Sequence, residues 1–91
     1  MIQISHDKQS IYPYYTICKV DSGQLIKIGS RSIRKKFIYY EDALMALTNF
    51  INRTNFNNQY QYVILKYPQE YTSYIVTIVD NGNVINIKNE I

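Results

Sequence analysis

The sequence predicts an α+β domain with a single antiparallel β-sheet: a β-hairpin, one helix packed across one face, then a three-stranded meander. Three observations predict it. Only one stretch, residues 37–53 (FIYYEDALMALTNFINR), keeps an unbroken helical period. The runs on either side of it are rich in aromatic and β-branched residues, as strands are. Between those runs stand Asp21-Ser22-Gly23 and Asp80-Asn81-Gly82, both suited to tight turns. At 91 residues the chain makes one domain, 1–91, with one core.

Residues 1–10 alternate weakly at Ile2 and Ile4 and then turn polar, which fits either a loose arm or an extra edge strand. Residues 11–20 (IYPYYTICKV) read as the first strand, with Pro13 confined to its start or to an edge because it cannot donate to a ladder. Residues 24–30 return as the second, on Leu25, Ile26 and Ile28. The polar stretch 29–36 is a loop or a bent continuation of that strand, and Phe37 and Ile38 lead from it into the helix.

The helix is expected to start at 39–41. Tyr40, Ala43, Leu44, Leu47, Phe50 and Ile51 share one side, and Glu41, Met45, Thr48, Asn49 and Asn52 the other. Glu41 and Asp42 favour the positive end of the helix dipole and Arg53 the negative end, although no capping side chain precedes Glu41. Asparagines at 52, 55, 57 and 58 mark its stop. Residues 60–67, 71–79 and 84–87 supply the meander, and Pro68-Gln69-Glu70 separates its first two strands.

The central strands look apolar on both sides, whereas one helix covers one face. Val63 and Leu65 oppose Tyr62 and Ile64; strict alternation sets Tyr74, Val76 and Ile78 against Tyr71, Ile75 and Val79. The second face then needs the N-terminal arm, a partner or another copy of the chain. Tyr62, Tyr71 and Ile75 are its candidate interface residues, and a symmetric homodimer is expected.

Charge supplies the other candidate site. Lys27, Arg31, Arg34, Lys35 and Lys36 place five cations in a ten-residue block without an acid. The chain's net charge is +3, so the remainder carries −2 and the positive charge is localised. Such a block serves an acidic protein surface or a phosphate backbone, or is simply a solvated loop.

Catalytic and cofactor signals are weak. His6 is the single histidine, beside Asp7 and near Ser5 and Ser10, in a segment that promises no rigid scaffold. Cys18, the only cysteine, falls mid-strand, which excludes an internal disulfide and a cysteine cage for zinc. Glu41 and Asp42 are neighbours on a helix and diverge by about 100°. No glycine-rich phosphate loop and no metal-ligand spacing occurs, so no catalytic, cofactor or metal residue is expected and the chain does not read as an enzyme. The first ten residues lack the pattern of a signal peptide, and no run approaches the ~18 apolar residues of a membrane span. A cytoplasmic location is expected, that of the host if a phage encodes the chain.

The richness in Ile, Asn, Tyr and Lys is that of AT-rich genomes, phages and mobile elements among them, so the ten tyrosines are discounted as a recognition signal. The leading expectation is a protein-binding module, a small inhibitor or adaptor from a phage or mobile element that docks on a host or defence protein. The alternative is a nucleic-acid binder using the block 27–36 with bases stacked on sheet tyrosines.

Overall fold

The computed structural model describes residues 11–29, 33–53 and 59–87. They form strands β1 (Tyr14–Asp21) and β2 (Gln24–Lys27), helix α1 (Tyr40–Arg53), and strands β3 (Gln61–Gln69), β4 (Thr72–Asp80) and β5 (Asn83–Asn86). The strands make one antiparallel sheet in the order β2-β1-β3-β4-β5. The helix lies on one face of it, so the predicted α+β architecture is the observed one. Residues 1–10, read as an arm or edge strand, lie outside the described residues.

Turn chemistry sets the register at both ends. Asp21 pairs with Gln24 across Ser22 and Gly23, and Asp80 with Asn83 across Asn81 and Gly82. All four loop residues have positive φ, as two-residue hairpins with a type I′ twist require. The β3–β4 hairpin is different. Its loop places Tyr71 at φ +66°, a left-handed conformation that crowds a bulky side chain, and leaves the ring 93% exposed. Tyr71→Gly is therefore expected to stabilise the fold by roughly 0.5–1 kcal/mol, after the greater unfolded-state freedom of glycine is discounted. Urea unfolding checks this; an unchanged or lowered midpoint would mean that the turn holds no such strain.

The helix begins where the carbonyl of Tyr39 accepts the Ala43 N–H at 3.3 Å, which makes Tyr39 the capping position without a capping side chain. Ala43, Leu47 and Ile51 are buried, while Leu44 and Phe50 are half-buried beside them. They pack on Ile17 of β1, Tyr62 and Ile64 of β3 and Val79 of β4, with Ile33 and Phe37 closing the side. Phe37 pins the start of the helix; Ile38, its expected companion, is exposed. The hydroxyl of Tyr40, at the helix start, is 2.6 Å from Thr77 Oγ1 and donates to Asn86 Oδ1 at 3.1 Å. That cluster ties the helix to β4 and β5 and satisfies the hydroxyl of the fully buried Thr77.

The structure departs from the sequence reading in β3 and β4. β3 runs on through Pro68 to Gln69 where a break is expected. Tyr71 stands in the turn and not in the strand, and the alternation of β4 is not strict. Ile64 pairs with Thr77 but Leu65 pairs with Ile75, so Val76 is an extra residue in β4. This bulge flips the alternation. Val76 joins Val79 against the helix-side core and Ile75 joins Ile78 on the opposite face, which corrects both groupings expected from strict period two. At the edge of β1 the described part of 29–37 fits the second of the two readings offered for it, a chain that bends and returns to the sheet. Beyond the end of β2, residue Phe37 bridges Tyr15, each N–H donating to the other's carbonyl at 2.7 and 2.8 Å. The residues that lead into the helix, 33–37, thus complete the sheet edge at Phe37.

Candidate protein-docking edge

The two segments that line the β1 edge carry the lysines. β2 brings Lys27 opposite Cys18, and the returning stretch brings Lys35 and Lys36. The Thr16 hydroxyl donates to the carbonyl of Lys35 at 3.3 Å, which holds that stretch against β1. Lys27, Lys35 and Lys36 consequently line one cavity of about 430 Å³, floored by Tyr14 and Thr16 and walled by Ile28 and Ile33. Among the described residues no carboxylate lines it.

Tyr14 is the fixed part of this site. Its ring stacks on that of Tyr67, its partner on β3, at 4.8 Å and 12°, and meets Tyr12 at 5.2 Å. The Lys36 ammonium sits 4.7 Å from the centroid of the same ring. Burial, then the neighbouring Tyr12, Tyr67 and Glu70, push the Tyr14 phenol above its ordinary range, so it stays protonated at neutral pH.

The five cations of the block separate. Three share the cavity. Arg34 lies in a different recess, with Phe37, Asp42, Met45 and Arg53 along the helix. Arg31 lies outside the described residues. Met45, on the outer helix face, is exposed as its wheel position implies.

The three candidates for a sheet interface separate as well. Tyr62 is 1% exposed and lies on the helix side, edge-on to Phe50 at 6.0 Å, so it is a core residue and not an interface residue. The alternation of β3 distinguishes two sets of residues but not which set the helix covers, and the helix covers that of Tyr62. Tyr71 stands at the hairpin tip rather than on the sheet face. Ile75 does lie on the face opposite the helix, half-buried, with Cys18, Val63 and Leu65. Among the described residues no helix or strand crosses that face, yet Cys18 and Val63 are each only 2% exposed.

Tyr14 and Thr16 were not predicted as site residues. The one sequence signal for them, the aromatic character of residues 11–20, is what the AT-rich bias discounts. Cys18 is buried, and burial raises its thiol above the ordinary range despite the opposing pull of Lys27, which leaves little thiolate. Among the described residues no three His, Cys, Asp or Glu side chains gather as metal ligands do. No helix among them is long and apolar enough to cross a membrane. Compared with family models, with curated proteins and with solved structures, the chain shows no match to any.

Proposed function

We propose that this chain is a non-catalytic protein-binding module that takes an acidic segment of its partner at the edge formed by Lys27, Lys35 and Lys36. One observation carries this reading: three lysines from two separate segments line one cavity, and no carboxylate among the described residues lines it with them. Its isoleucine walls suit the methylenes of a Glu or Asp side chain and the apolar residues beside it. Nucleic acid is the weaker fit, because the tyrosine nearest the lysines has no free ring face to offer a base. Tyr67 stacks on it and Tyr12 and Lys36 crowd it. The inhibitor or adaptor role and the phage or mobile-element origin rest on size and composition alone.

A fluorescent peptide of alternating Glu and Leu and a single-stranded oligothymidine of equal charge test the reading side by side at low salt. The peptide is expected to bind the more tightly. Lys27→Glu/Lys35→Glu/Lys36→Glu is expected to weaken it by about 10- to 100-fold, each exposed pair contributing roughly 0.5–1 kcal/mol. Tighter binding of the oligonucleotide would replace this reading with nucleic-acid recognition. Equal peptide binding by the triple variant would show that the edge is solvated and nothing more.

A further inference from the structure

We infer that β5 is a self-association edge, across which a second copy of this chain adds its own β5 antiparallel to make one continuous sheet. The site is at the end of the sheet opposite Lys27 and is independent of the lysine edge.

The backbone defines the edge. Ile87 N–H donates to the Val76 carbonyl at 2.9 Å, and the β4–β5 register pairs Ile78 with Ile85 and Asp80 with Asn83. In an antiparallel ladder the bonded positions alternate, so residues 83, 85 and 87 face β4. The N–H and C=O groups of Val84 and Asn86 then point away from the sheet.

Natural edges are guarded by lysine, proline or a bulge. β5 (Asn83–Asn86) has none of these and is guarded only by its shortness, four residues. Instead Val84 is 45% exposed on the helix side and Ile85 48% exposed on the other. Charge does not oppose a second copy either, since Asp80 is the single Asp, Glu, Lys, Arg or His from Thr72 to Ile87.

Side-chain rows select the occupant. Cys18, Val63, Ile78 and Ile85 are successive cross-strand partners on the face opposite the helix. At one end the row is closed by Lys27, paired with Cys18; at the other, among the described residues, it stops at Ile85. A two-fold axis through Ile85 pairs Val84 with Asn86 of the other copy and Asn86 with its Val84, both outward-facing positions. It also sets the two Ile85 side chains side by side, about 5 Å apart at Cβ, and joins the rows end to end. The contact spans few residues, so the dimer is weak and appears at high concentration.

Sedimentation of the full chain from about 10 µM to about 1 mM is expected to show a monomer passing into a dimer. Val84→Pro removes an outward N–H and no bond to β4, and is expected to weaken the dimer at least about tenfold. Ile85→Lys sets two ammonium groups at the axis and is expected to abolish it, with the monomer's melting temperature kept near the parent's. Hydrogen exchange is expected to slow with concentration at the Val84 and Asn86 amides. A chain that stays monomeric at about 1 mM overturns the inference. So does a dimer that Val84→Pro and Ile85→Lys leave intact, which would be held by another surface.

Discussion

Tyr62→Ala is expected to cost about 4 kcal/mol of folding stability, the usual range for deleting a buried aromatic ring. Tyr62 is 1% exposed, stands between Lys19 and Val79 in the sheet and meets Phe50 of the helix edge-on. Alanine in its place leaves a void between helix and sheet that close-packed neighbours fill only in part. For a domain of this size the loss corresponds to a melting temperature lower by roughly 20 °C. It is also a large share of the 5–15 kcal/mol or so that holds typical domains together. Tyr71→Ala, at the exposed hairpin tip, is expected to stay within about 0.5 kcal/mol of the parent. Calorimetry of both variants separates a core tyrosine from a surface one. A Tyr62→Ala protein that melts with the parent would put that ring back among the interface candidates.

The contrast between these tyrosines marks what the sequence makes legible. Local periodicities are visible in it: the helix face at Ala43, Leu47 and Ile51, the turns at Ser22-Gly23 and Asn81-Gly82, and the split of Tyr62 and Ile64 from Val63 and Leu65. Each depends on residues a few positions apart. The identity of the covered face depends on where the helix crosses, and no local pattern states that. The extra residue at Val76 is equally silent, because YIVTIV reads as plain alternation whether or not a bulge lies within it.

The lysine edge shows the same division. A localised positive charge is evident from the block itself, but its convergence is a tertiary event. Lys35 and Lys36 line the same cavity as Lys27 because Phe37 bridges Tyr15 and Thr16 holds the Lys35 carbonyl. The same return turns Arg34 toward the helix, and so a run of neighbours in sequence serves two different recesses. Long-range pairing decides which charges act together.

The face opposite the helix yields the other large effect. Val63→Asp is expected to destabilise the fold by about 4 kcal/mol at neutral pH, because a carboxylate would replace an apolar group where water barely reaches. Val63 lies in the central strand between Cys18 and Ile78, and Lys27, beyond Cys18, is the nearest cation in that row. Burial raises the pKa of the new carboxyl above its unfolded value of about 3.9. The neutral acid is the form the fold tolerates. The variant's stability relative to the parent is therefore best below about pH 4 and is lost as pH rises through the folded pKa. Urea unfolding of both proteins at about pH 4 and pH 7 measures this, with the gap between them expected to widen at the higher pH. A variant as stable as the parent at pH 7 would mean that water reaches Val63. The face would then be an open surface of its own, and Ile75, at its margin, would become the first residue to test as a partner contact.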